Sequence, residues 1–260
     1  MKRIKYFLIL FLILSLSSCL NKYEAYSSPQ KYHSLSSEGE LYYNAIKNVN
    51  IDWLQGNVVV TTSDEYTGLV VKESYKDKLE DKYLAKVWDN GNTLNVRFCR
   101  SNVSLLNNLS KTLTVYLPTN YNLENLHIES ATSSVEVNKI QANVLEVENY
   151  SGSTKISSVK IKDIDVECIS GDLTIESYPI ASSIEIEQVS GNSVISLASH
   201  VPGFTLDYQT VSGSFHSDLP LTVIDNIYSY LNKDFLTIDF ESVSGNLSIV
   251  SHECSHEIIN

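Results

Sequence analysis

From Val49 onward, apolar and polar residues alternate in short runs, the period-two signature of strands with one buried face. The segments NVNIDWLQGNVVVTT, GLVVKES and KTLTVYLP all read this way, and Pro118 ends the last of them. AKVWDNGNTLNVRF sets Asn90-Gly91 between two alternating runs, a strong short-range hairpin signal. Helical periodicity is confined to YKDKLEDKYLAK, a helical or disordered excursion, with residues 40–46 as a weaker second candidate.

Beyond Pro118 the sequence repeats itself. NYSGSTKI, CISGDLTI, QVSGNSVI, TVSGSFHS and SVSGNLSI each carry Ser-Gly, with the glycines at Gly152, Gly171, Gly191, Gly213 and Gly245. A degenerate copy, SATSSVEV, puts Ser133 at the glycine position, and LQGNVVV at Gly56 is a distant member. Spacings from Ser133 are 19, 19, 20, 22 and 32 residues, the last holding an insertion near residues 219–233. Seven and five before the glycine stand Leu126/Ile128, Leu145/Val147, Ile164/Val166, Ile184/Ile186, Leu206/Tyr208 and Ile238/Phe240. Two and four after it come mostly Val, Leu and Ile, as in Leu173/Ile175 and Leu247/Ile249, with Ser193 and Ser217 interrupting.

Two short strands with a bend between them fit that pattern, since glycine accepts positive φ and serine bonds nearby backbone. One such unit cannot bury its apolar face, but stacked copies share a core. The expected fold is all-β: a parallel β-solenoid of about six or seven coils, each ~4.8 Å above the last, preceded by a small β-hairpin region. An up-and-down meander is the alternative, but it has no need of glycine at near-constant spacing. The glycines are the expected structural turns.

LTVYLP followed by repeated ψ-x-ψ-E-x-ψ-S-G-x-ψ-x-I resembles the bacterial putative-adhesin family of unknown function, over about residues 49–250. The resemblance implies a β-solenoid and a surface binding role. It brings no ligand and no functional residues.

The N-terminus adds a location. Lys2, Arg3 and Lys5 precede an apolar run at residues 6–14, and Leu16-Ser17-Ser18-Cys19 follows. The run is too short to span a bilayer, which needs about 20 residues, and suits a signal peptide. LSSC resembles a bacterial lipobox, which implies cleavage after residue 18 and acylation of Cys19. An ordinary secretory signal containing a cysteine is the alternative. The expected organisation is a signal peptide at 1–18, a flexible tether at 19–48, an N-terminal β region at 49–118 and the repeat solenoid at 119–260. The protein is then expected at the bacterial cell envelope, facing away from the cytoplasm and held to the lipid bilayer through Cys19.

The formal charge is −12, and loss of Lys2, Arg3 and Lys5 takes it to −15. Such acidity argues against nucleic-acid binding and against a basic grip on anionic lipid. Past Cys19, the cysteines Cys99, Cys168 and Cys254 allow at most one disulfide, so this is no disulfide scaffold.

The acids themselves are ordered. Six before the glycine stand His127, Glu146, Asp165, Glu185, Asp207 and Asp239; four before it stand Glu129, Glu148, Glu167, Glu187, Gln209 and Glu241. Both columns point outward, so stacking lines them into two files, with Lys139, Lys155, Lys160 and Lys162 expected to neutralise part of the charge. The plain reading is a solvated acidic face. The sharper one is a ladder of Glu146, Glu148, Asp165, Glu167, Glu185 and Glu187 that recruits Ca²⁺ or docks a cationic partner.

Other motifs carry less. His252-Glu253-Cys254-Ser255-His256 matches H-E-x-x-H, but it follows a strand and leaves no room for the helix a zinc protease needs. Among the sixteen tyrosines, Tyr150 and Tyr208 are expected to fill or cap the solenoid. No nucleophile elbow, phosphate loop or dinucleotide fingerprint occurs, and no cofactor is expected. The sequence points to a non-enzymatic envelope lipoprotein presenting a solenoid to a protein or glycan ligand. The alternative is an assembly component that self-associates through strand edges. A solenoid enzyme acting on polysaccharide is a third reading, and an evenly spaced ladder suits it less than a grouped site would.

Overall fold

The computed structural model describes residues 32–36, 39–42, 46–104, 109–177, 181–233 and 235–252. Residues 1–18, expected as a signal peptide, and Cys19, Cys254 and His256 lie outside them. The strands, in chain order, are β1 (His33–Ser34), β2 (Glu40–Tyr42), β3 (Asn48–Thr62), β4 (Leu69–Tyr75), β5 (Lys86–Asp89), β6 (Thr93–Arg97), β7 (Lys111–Leu117), β8 (Asn122–Asn138), β9 (Gln141–Ser151) and β10 (Thr154–Ser170). They continue as β11 (Leu173–Ser177), β12 (Ser183–Ser190), β13 (Asn192–Ala198), β14 (Gly203–Thr210), β15 (Phe215–Ser217), β16 (Thr222–Ile224), β17 (Ile227–Leu231), β18 (Thr237–Ser242) and β19 (Asn246–His252).

The fold is the β-solenoid that the repeat implies. Each coil has a first arm before the glycine and a second arm after it, and arms pair in parallel with those above and below. Inside the first arm, Leu94, Val49, Leu126, Leu145, Ile164, Ile184, Ile238 and Leu206 form one buried column. Val96, Ile51, Ile128, Val147, Val166, Ile186 and Phe240 form the next, ending on half-buried Tyr208, which stacks on Phe240 at 5.5 Å. Burial of one such side chain is worth about 1.5–3 kcal/mol, so the columns are the main stabilising element.

The bends explain the glycines. A Cβ on Gly171 would lie 2.0 Å from the Gly152 carbonyl oxygen, and one on Gly152 would lie 2.2 Å from that of Ser133. Both also take positive φ, at +138° and +127°. At these two bends close stacking demands glycine over and above its torsion, whereas Ser133 itself occupies a bend and a Cβ on Gly245 would meet only side chains at 3.1 Å and beyond. At the opposite corner Asn120, Lys139 and Ser158 take positive φ at intervals of 19 residues, marking the same period a second time.

Two corrections concern the stacking. The coils do not follow sequence order, as each lying above the last would require. β18–β19 returns to lie between β12–β13 and β14–β15, and β3 lies between β6–β7 and β8. The cause is visible at both ends. A hairpin of β16 and β17 runs antiparallel along the outer edge of β14, leaving only its inner edge for the returning strand. At the other end β4 and β5 do the same to β7 and β6. Second, the described residues form eight coils where about six or seven were expected, because β3 and β6–β7 stack as coils on β8. The Asn90-Gly91 hairpin does form, between β5 and β6.

The segment expected as a tether joins the fold from Tyr32 onward. β1 pairs with β5 and β2 with β4, while Leu35 and Ile46 are buried in the core. Within the helix considered at residues 40–46, Glu40–Tyr42 form strand β2, and the excursion after β4 contains one 3-10 turn at Asp81–Tyr83. Beneath this cap lies a buried ion pair, Lys111 Nζ to Glu73 Oε1 at 2.5 Å. Lys111 also donates to the carbonyls of Tyr83 and Phe98, and Glu73 accepts from the Ala85 N–H, so both charges are satisfied. Burial still pushes the Lys111 pKa down, against the pull of Glu73.

Candidate functional site

The outward positions of the first arm carry the feature of interest. Strand alternation puts residues six and four before each bend on the solvent side, and the parallel register aligns them from coil to coil. One file runs Asn95, Asn50, His127, Glu146, Asp165, Glu185, Asp239, Asp207. The next runs Arg97, Asp52, Glu129, Glu148, Glu167, Glu187, Glu241, Gln209. The six ladder residues read from the sequence are therefore brought together, and Asp52, Glu129, Glu241, Asp239 and Asp207 extend them. The order differs from the sequence in one respect: Asp239 and Glu241 sit between Glu185/Glu187 and Asp207/Gln209.

Among the described residues, none of the four lysines pairs with a carboxylate of the files, contrary to expectation. Lys155 Nζ lies 4.0 Å from Glu176 and Lys162 Nζ 3.8 Å from Asp163, neither of which belongs to the files. The ion pairs that do reach the files stand toward the N-terminal end: Arg97 with Asp52, and His127 Nδ1 with Glu146 Oε2 at 3.2 Å. In the middle, like charges stack on like at the rung spacing of ~4.8 Å.

The titration behaviour follows from that crowding. Partial burial, then the charges of Glu185, Glu146 and Glu148, push Asp165 up to about 6. Partial burial, then Glu167, Glu241, Glu185 and Asp165, push Glu187 up to about 7. Asp239 rises to about 6 through burial and its neighbours Asp207 and Glu241. Glu148 and Glu167 are raised for the same reasons. A carboxyl whose pKa is higher folded than unfolded binds its proton more tightly in the folded state. Stability is then greatest at low pH within the window and falls as pH rises from about 4 through 6 and 7. The files work against the fold at neutral pH.

The apolar position just before Ser-Gly in the repeat forms a third file, and it faces outward. Two residues before each bend stand Leu54, Ala131, Tyr150, Ile169, Val189, Val243 and Val211. All are half-buried except exposed Val211. Tyr150 belongs to this outward file rather than filling the solenoid, whereas Tyr208 does pack against the core. The repeat pattern shows this apolar column, and strand alternation from the acidic positions puts it on their side of the sheet. The face is thus an apolar rail beside two carboxylate rails.

Between the rails and the core, inward polar groups hold the bends. Asn149 Nδ2 donates to the Ser133 carbonyl and to Thr154 Oγ1, both at 3.1 Å. Gln188 Nε2 donates to the Gly171 carbonyl at 3.1 Å, and its Oε1 accepts from Ser193 Oγ at 2.6 Å, which explains a serine in a core column. Cys168 occupies the same column, buried and free, its thiol pushed up to about 12 by burial. Cys99 is likewise buried, with its Sγ donating to the Arg100 carbonyl at 3.4 Å.

Among the described residues, no three His, Cys, Asp or Glu side chains converge as metal ligands. His252 stands on β19, with Nδ1 2.9 Å from Ser196 Oγ. No helix among the described residues is long and apolar enough to cross a membrane.

Solved structures align with this chain. A putative cell adhesion protein from Clostridium sporogenes is similar, with a TM-score of 0.53 at 14% identity over 85% of this chain and 98% of that one. A putative adhesin from Bacteroides fragilis aligns with a TM-score of 0.32 at 14% identity, covering 88% of this chain and 100% of that one. No curated protein matches the chain. The Toastrack DUF4097 model matches residues 46–182 and again 119–250, a repeated match over most of the solenoid, and the chain belongs to the Toastrack DUF4097 family.

Proposed function

We propose that this protein is a non-enzymatic, adhesin-like component of the bacterial cell envelope that binds a cationic partner on the first-arm face of its solenoid. The observation that carries this reading is the pairing of two carboxylate files, neutralised only toward their N-terminal end by Arg97 and His127, with an apolar rail. Five carboxylates in one file and six in the other (Glu146, Asp165, Glu185, Asp239, Asp207; Asp52, Glu129, Glu148, Glu167, Glu187, Glu241) hold register against their own repulsion. Clusters of upshifted groups are a mark of binding surfaces, because a partner of opposite charge relieves the repulsion. The matching partner is an extended cationic segment with apolar side chains. A chelated Ca²⁺ fits less well, since the acids form a line rather than a cage.

Anchoring belongs to the same proposal. Acylation of Cys19 holds the chain at a membrane, and Cys19→Ser releases it to the soluble fraction. The binding test is calorimetry of the full chain with poly-L-lysine and, separately, with millimolar Ca²⁺. Salt-sensitive binding of the polymer supports the reading. Binding of Ca²⁺ alone replaces the partner with an ion, and binding of neither removes it.

A second reading, assembly, is favoured by one detail. β15 pairs only with β19, so its outer edge is open among the described strands, and exposed Val223 and Ile224 lie on the neighbouring β16. Light scattering over a concentration series tests it: growth of polymers favours assembly, and a constant monomer mass removes it.

A further inference from the structure

The capped end of the solenoid carries a second candidate site, chemically opposite to the acidic face. A cavity of about 500 Å³ opens between Tyr32, the turn at Asp81–Tyr83 and the loop after β6. That volume falls among small-molecule sites. In a chain of net charge −12, its lining contains Lys82 and Arg100 and no carboxylate.

The positive charge there is left over after local pairing. Asp81, next in sequence to Lys82, is engaged by Ser34 Oγ and by Lys86 Nζ at 3.1 Å, contacts that hold its carboxyl below the usual range. Lys82 is partly offset by Glu80, 2.9 Å away, and its ammonium lies 4.9 Å from the centre of the Tyr83 ring. Arg100 makes no close ion pair among the described residues, although its charge helps Lys86 hold the Asp81 carboxyl low. The walls are already joined: the Arg100 N–H donates to the Lys82 carbonyl at 3.1 Å, and Tyr83 Oη donates to the Ser104 carbonyl at 3.4 Å. A site fixed in this way loses little freedom on binding.

We propose that this cavity binds an acidic sugar. The planar guanidinium of Arg100 takes a carboxylate in bidentate fashion, with Lys82 beside it. The half-buried Tyr32 offers an apolar surface with a polar tip to the sugar ring. The hydroxyl of Ser101 and the amide of Asn102, which both donate and accept, meet sugar hydroxyls. This site is independent of the carboxylate files and stands or falls separately from them.

The experiment is calorimetry or ligand-observed NMR on the full chain with glucuronic, galacturonic and N-acetylneuraminic acids, against glucose, galactose and inorganic phosphate. At least one acidic sugar binds with a Kd of about 0.1–1 mM, and the neutral sugars bind at least tenfold more weakly. Arg100→Gln and Tyr32→Ala each weaken binding about tenfold or more with an unchanged melting curve, since both residues lie near the surface. Neutralising the first-arm acids leaves this binding intact. No acidic sugar binding below about 10 mM overturns the proposal. So does phosphate binding as tightly as the sugars, which marks a bare anion site, and so does full binding retained in both variants.

Discussion

The two arms of each coil share a backbone, a core and a repeat, yet their outer faces are built differently. On the second arm, side chains of neighbouring coils bond to one another: Asn192 Nδ2 to Asp172 Oδ1, Asn246 Nδ2 to Asn192 Oδ1, and Ser134 to Ser153, each at 3.1 Å. Charges there are mixed, with Lys155 beside Glu136 in one direction and Thr174 in the other. On the first arm, carboxylate stacks on carboxylate in the two files, and the inter-coil bond from Ser183 Oγ to Asp163 Oδ1 at 2.9 Å lies outside them. The solenoid therefore does not require acids on its surface. Where a neutral, hydrogen-bonded face serves the fold, an acidic one that opposes it points to a use outside the fold.

The largest effects come from breaking what both faces share. Gly171→Ala drives a Cβ into the Gly152 carbonyl and strains a positive φ, and should cost about 3 kcal/mol or more, read as loss of the cooperative melt. Gly91→Ala, at φ +92° with nothing within 4 Å, should cost only about 1–2 kcal/mol. Equal effects at the two sites would show that stacking distance is not what selects glycine. Next, Ile186→Ala opens a cavity under both acidic files and should destabilise by about 2–5 kcal/mol in denaturant titration.

The smaller effects separate the faces. Glu187→Gln on the first arm should raise the melting temperature at pH 8 and change little at pH 5, where Glu187 is already protonated in the folded protein. Glu136→Gln on the second arm should stay within about 0.5 kcal/mol at both pH values. Equal, pH-independent shifts at the two positions would remove the distinction between the faces.

Much of this was legible in the chain. The columns at Leu145/Val147 and Ile164/Val166 define the buried face, and the same register fixes Glu146 over Asp165 and Glu148 over Glu167. The order of coils was not legible, because Ser-Gly spacing sets the bend and says nothing about which coil lies beside which. That choice is made by β16 and β17, whose antiparallel pairing with β14 closes one edge and redirects β18–β19. The reach of Lys155 and Lys162 was missed for a related reason. Period two places Lys155 on the outer face of the second arm, and Lys162 sits at the corner before the first. The cavity at Tyr32 and Arg100 joins segments far apart in sequence, and no local pattern announces it.

The central claim is that the carboxylate files weaken the fold they decorate. It is tested most directly by comparing thermal melting of the wild type with a Glu148→Gln, Glu167→Gln, Glu187→Gln, Glu241→Gln variant at pH 5 and pH 8. The account predicts a variant that melts several degrees higher at pH 8, with the gap closing toward pH 5. A variant that melts lower at pH 8 would make the acids part of the scaffold and contradict it.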